Sequence, residues 1–181
     1  MYVGHVGIAL GAKRLRASIG MLVLLVATYA PDWVDAGLCV AGRYTPRGML
    51  SHSFQAIAVL ALVAFAAYVV TTRDWRSALV VAGVVVSHML LDWITGYKPT
   101  WPGGPMIGLG LYAHPMADFI VEGVVIVIGA LLYLRTLPTA RRGWLNVSMM
   151  LGALLVLQLG IDVATIMSKS LTKCWSLFLT S

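Results

Sequence analysis

The stretch Arg76-Ser-Ala-Leu-Val-Val-Ala-Gly-Val-Val-Val-Ser-His88-Met-Leu-Leu-Asp92-Trp-Ile-Thr95 decides how the chain is read. It is a run apolar enough to span a bilayer, yet it carries an imidazole and a carboxylate four residues apart. At membrane depth such a group costs on the order of 2.5–3.5 kcal/mol even on the lenient insertion scale, so it needs a partner or a purpose. A divalent cation supplies both. His114 and Asp118 repeat the interval at the start of another apolar run, and His5 and His52 complete the four histidines of a chain with only 7 acidic residues.

Composition agrees with a membrane setting. Of 181 residues, 60% are hydrophobic and 11% charged, with a mean hydropathy of +0.88; a soluble domain carries roughly 25% charged residues. The net charge of +6 does not imply nucleic acid, because the basic residues fall between apolar runs, where they anchor and orient spans. Cys39 and Cys174 are far apart with no CxxC, which leaves no thiolate zinc motif and leaves their pairing open. Lys13, Arg14 and Arg16 ahead of Ile19 to Ala30 mimic a signal peptide, but the basic cluster lies far from Met1.

The pattern predicts one all-α, polytopic membrane bundle of five to six helices over residues 1–181, with helices near 2–16, 17–30, 46–70, 76–95, 115–134 and 144–167. Pro31 and Asp32 are expected to end the second helix, Thr45 to cap the third with Pro46 in its first turn, and Gly103-Gly104-Pro105 to mark a loop. The first two helices reach only about 21 Å each against a hydrocarbon core of roughly 30 Å, so they form a hairpin that dips in or two tight spans.

If all six cross, one face receives Lys13, Arg14, Arg16, Arg73, Arg76, Arg135, Arg141 and Arg142, and the other Arg43, Arg47, Lys98, Lys169 and Lys173. The basic excess makes the first face cytoplasmic. The opposite, extracytoplasmic face then gathers His5, Asp32, His52, His114 and the His88–Asp92 end of its helix, a convergence that places a metal site near one membrane face.

Residues four apart share a helix face, so His88 with Asp92, and His114 with Asp118, can each hold one ion. Imidazole with carboxylate suits zinc, and also manganese or iron. The expected ligands are His5, Asp32, His52, His88, Asp92, His114 and Asp118, enough for one to three ions. Each has a plainer reading as a buried hydrogen-bonded group or a solvated helix end. Asp32 and Asp35 are the candidate general bases. Glu122 and Asp162 are expected behind the ligands or as a proton relay, Gln158 as a bond between helices. Arg47 and Lys98 are candidates to hold an anionic group of a substrate, or to snorkel to lipid phosphates.

Gly4-His5, Pro31-Asp32, Arg47-Gly48-x-x-Ser51-His52-Ser53 and Ser87-His88-x-x-Leu91-Asp92-x-x-Thr95-Gly96 surround these ligands. Together they resemble the YdjM-like family of metal-dependent hydrolases of the bacterial inner membrane, over most of Gly4 to Asp118. The family often has a histidine where this chain has Pro46, and its second acid commonly stands one residue nearer Pro-Asp than Asp35. The ligand order is also similar to that of zinc-dependent phospholipase C and P1-type nucleases. That likeness implies one ion at Asp32, His52, His88 and Asp92, a second at His5 with Asp92 bridging, and a third at His114 and Asp118, incomplete because no further histidine lies between Asp92 and His114.

The expectation is therefore a multi-pass inner-membrane hydrolase of a phosphoester on a lipid or lipid-linked substrate, its site facing the extracytoplasmic side. A metal or proton transporter using the same cluster is the alternative, and a non-enzymatic bundle stapled by metal a third reading. The sequence leaves the oligomeric state open.

Overall fold

The computed structural model describes residues 3–43, 50–139 and 144–167. Within them the chain is an all-α bundle: α1 (Gly4–Leu15), α2 (Met21–Thr28), α3 (Ala30–Val40), α4 (Phe54–Thr72), α5 (Trp75–Thr95), α6 (Pro115–Leu134) and α7 (Trp144–Met167). A 3-10 turn, Leu50–His52, precedes α4, and a second, Leu111–Ala113, precedes α6. The α4, α5 and α6 helices are long and apolar enough to cross a membrane, and α2 with α3 counts as a fourth candidate if the bent pair is one span. The fold is that of a membrane protein.

The described residues hold seven helices where the pattern predicts five to six, because α3 is added, and the second helix begins at Met21 and not near 17. Pro31 does not end a helix; it lies in the first turn of α3. Having no N–H, it cannot continue the ladder of α2, so the chain breaks at Tyr29 and restarts with a bend of 59°. The third predicted helix starts later than 46, at Phe54, because the Ser53 hydroxyl accepts the Ala56 amide at 3.3 Å and caps it there. Thr45, Pro46 and Arg47 lie outside the described residues. By contrast, α6 and α7 keep the predicted bounds, and α5 begins one residue early because Asp74 caps the amides of Arg76 and Ser77, both at 3.1 Å.

Packing follows membrane rules, in which small residues let helices approach closely. At Gly7 on α1, a Cβ would stand 2.5 Å from the Val125 carbonyl oxygen, and one at Gly129 on α6 would run into the Gly7 carbonyl. Ile19, Leu24, Val81, Val84 and Val85, with Ala9 and Ala12 of α1 and Ala61 of α4, form the core that joins these helices with α2 and α5. Only 11% of the apolar window of α4 is buried, so this helix turns most of its surface outward, as a lipid-facing span does.

The N-terminus of α1 is tied down by polar groups from two other helices. Glu122 Oε2 on α6 accepts the Gly4 amide at 2.9 Å, and Gln158 Oε1 on α7 accepts the Val3 amide at 3.1 Å. These are orphan donors of a helix start, and a carboxylate there also meets the positive end of the dipole. The result fixes His5, one residue further on.

Candidate metal centre

Four segments meet at one end of the bundle. Their starting point is the break between α2 and α3. The Thr28 carbonyl is one of the last in α2 and has no intrahelical partner. It accepts a hydrogen bond from His88 Nδ1 at 2.7 Å. Because a carbonyl only accepts, Nδ1 carries the proton, and His88 directs Nε2 into the centre as a lone pair. Thr28 also donates its hydroxyl to the His5 carbonyl at 3.2 Å.

His52 is oriented in the same manner. Asp32 and Asp35, three apart on α3, present carboxylates on one helix face. Asp35 Oδ2 lies 3.0 Å from His52 Nδ1, and Ser51 Oγ lies 2.9 Å from the same nitrogen. The carboxylate accepts a hydrogen bond from Nδ1–H and turns Nε2 toward His88.

The inward-facing atoms converge. His52 Nε2 and His88 Nε2 are 3.0 Å apart. Asp32 Oδ1 stands 3.4 Å from His52 Nε2 and 3.7 Å from His88 Nε2. Asp92 Oδ2 stands 3.2 Å and 3.3 Å from the same two nitrogens. Ligands about 2.0–2.1 Å from a tetrahedral zinc are separated by about 3.3 Å, so each of these contacts has the spacing of two ligands on one ion, and Asp32, His52 and His88 form a group able to hold one. Two imidazole lone pairs facing each other repel unless a proton or a cation stands between them. A proton satisfies one such contact; a cation satisfies all of them together.

Asp92 reaches further with its other oxygen. His5 Nε2 lies 3.6 Å from Asp92 Oδ1, and His5, His88 and Asp92 form a second group able to hold an ion. The His5 ring is fully buried, and neither of its nitrogens makes a hydrogen bond. Leaving a buried polar group unsatisfied costs about 1–3 kcal/mol. A second cation bridged by Asp92 resolves that cost. The donor set of imidazoles and carboxylates therefore fits a divalent metal at two adjoining positions.

Comparison with protein-family models, curated proteins and solved structures returns no match.

The electrostatics centre on Asp92. The ammonium of Lys98, itself buried, lies 3.2 Å from Asp92 Oδ2. Lys98 stands on a short hairpin in which Lys98–Pro99 pairs antiparallel with Met106–Ile107. The hairpin is pinned to the helices by Phe54, whose amide donates to the Thr100 carbonyl at 3.0 Å, and by Leu109, whose amide donates to the Trp93 carbonyl at 2.7 Å. Burial and the Lys98 charge act to lower the pKa of His52, but the hydrogen bonds its ring donates to the carboxylates of Asp32, Asp35 and Asp92 outweigh them and raise it to about 10, so a proton takes the place of a cation on Nε2 when none is bound.

Of the expected ligands, His5, Asp32, His52, His88 and Asp92 come together. His114 and Asp118 belong to neither group among the described residues. His114 is exposed and has non-helical dihedrals (φ −128°, ψ 76°) at the start of α6, so the four-residue spacing does not put it on a helix face with the buried Asp118. Asp35 stands behind His52 at its outer nitrogen. Glu122 holds the start of α1, while the outer nitrogens of His52 and His88 are taken by Asp35 and Thr28. The side chain of Asp162 and all of Arg47 lie outside the described residues. The role of Thr28 depends on a contact across the fold that no local motif announces, whereas Ser51 acts on the ring next to it within the Ser51-His52-Ser53 motif.

Proposed function

We propose that the chain is a membrane-embedded, metal-dependent hydrolase of a phosphoester carried on a lipid or lipid-linked substrate. The observation that carries this reading is the convergence of Asp32, His52, His88 and Asp92 at coordination-edge distances, with the outer nitrogens of both histidines already committed. Zinc suits the donor set best, with manganese or iron as substitutes. Bound there, a divalent cation supplies Lewis acidity toward a phosphoryl oxygen and lowers the pKa of water.

The chain's own residues do the rest. Asp32 is the ligand-distance carboxylate that meets solvent, its side chain 34% exposed. It accepts a proton from the attacking water as the new P–O bond forms, and returns it to the alkoxide released when the ester P–O bond breaks. Asp35 holds His52 in register throughout. Lys98 places a buried ammonium beside Asp92, where it suits an anionic ester. In this reading the protein resides in a bacterial inner membrane with the centre toward the extracytoplasmic side.

The test is His88→Ala and Asp92→Ala in purified protein, assayed against a panel of phospholipids and lipid-linked phosphoesters. Loss of bound metal together with loss of hydrolysis supports the reading. Hydrolysis at the wild-type rate in both variants sinks it, and metal flux in proteoliposomes without ester turnover would favour a transporter.

A further inference from the structure

A cavity of about 700 Å³ runs between α1, α5 and α6 on the side of the bundle below the metal centre. Its upper end is formed by Gly7 and Ser87, and its lower end by Leu15, Leu79 and Leu132. Gly7 follows His5 by two residues and Ser87 precedes His88 by one, so the groove begins at the level of the ligand histidines. Among the described residues, no charged side chain lines it. Gly83 widens it: a Cβ built there meets nothing within 4 Å.

Its dimensions select the occupant. The nine residues from Gly7 to Leu15 on α1 cover roughly 12 Å, less than half of the roughly 30 Å hydrocarbon core. A partner helix, about 10–12 Å across and long enough to span both leaflets, does not match that reach. A single lipid tail entering from one leaflet does. The volume also falls in the range of about 300–1,000 Å³ usual for small-molecule sites.

We propose that this groove binds the apolar tail of a lipid whose phosphorylated head lies at the metal centre. That the tail belongs to the substrate rests on the hydrolase reading; occupancy of the groove by a tail does not.

The experiment uses full-length protein in detergent micelles and a phosphatidylglycerol carrying a diazirine midway along one acyl chain. After photolysis, labelled peptides are mapped in the wild type, in Gly83→Phe, which fills the groove, and in Gly152→Phe, which adds the same bulk on α7 where nothing lies within 4 Å. Labelling concentrated on Gly7–Leu15 and Leu79–Ser87, and reduced about tenfold or more by Gly83→Phe alone, is expected, since apolar pockets discriminate on that scale for small changes in volume. Labelling spread evenly over lipid-facing α4, or unaffected by Gly83→Phe, overturns the proposal. The wild-type map decides the matter even if Gly83→Phe folds poorly. Specific labelling without hydrolysis of any lipid leaves the groove assigned and sinks the hydrolase reading alone.

Discussion

Asp35 grips His52 from behind: its Oδ2 lies 3.0 Å from Nδ1, in a buried contact that commits the ring's other nitrogen to His88. A carboxylate in this position fixes both tautomer and ring orientation, and raises the basicity of the ligand nitrogen.

Asp35→Ala is therefore expected to weaken metal affinity about 10–100-fold without removing a ligand. Asp35→Asn, whose amide oxygen can still accept the Nδ1 proton, should fall between that variant and the wild type. Competition titration with a chelating dye measures both. Equal affinities in all three proteins would mean that His52 does not need the contact.

The close approach of α1 to α6 offers a way to separate the two metal positions. In Gly129→Ala the new methyl meets the Gly7 carbonyl, so α1 must move off α6. Overpacking of this kind costs about 1–3 kcal/mol. Since α1 brings only His5, the variant should lose the cation between His5 and Asp92 and keep the one at Asp32, His52 and His88. Metal counting with a thermal melt checks this. Loss of both cations in a folded variant, or of neither, would contradict it.

At the far end of α5, the pH dependence is local. The hydroxyl of Ser77, donating at 2.6 Å, and the amides of Ser77 and Arg76 favour the charged form of Asp74 and hold its pKa below the ordinary value of 3.8. A depressed carboxylate stabilises the fold above its unfolded pKa and ceases to do so as pH falls through the folded one. Protection of the Arg76 and Ser77 amides from hydrogen exchange should thus stay constant above about pH 4 and vanish below it. In Asp74→Ala it should be absent at every pH. A pH-independent wild-type profile across that window would refute the cap.

Much of this architecture is legible in the sequence because it is local. Apolar runs bounded by Pro115 and Trp144 give α6 and α7, and His88 with Asp92 share a face of α5 simply through the helical period. Pro31 shows the limit: its missing N–H announces a break, but whether the chain leaves the helix or begins another depends on what α3 packs against. The Lys98 hairpin is hidden likewise, since Gly103-Gly104-Pro105 signals a turn and not the pairing on either side. Most opaque is Thr28, which acts on His88 through a backbone carbonyl and so leaves no side-chain signature.

The most direct measurement is elemental analysis of the purified protein combined with anomalous scattering from its crystals. The account predicts at least one divalent cation per chain, coordinated by Asp32 Oδ1, His52 Nε2, His88 Nε2 and Asp92 Oδ2, with a second between His5 and Asp92. A folded protein with no stoichiometric metal, whose stability and activity are unmoved by chelators, or an anomalous peak remote from His52 and His88, would contradict it.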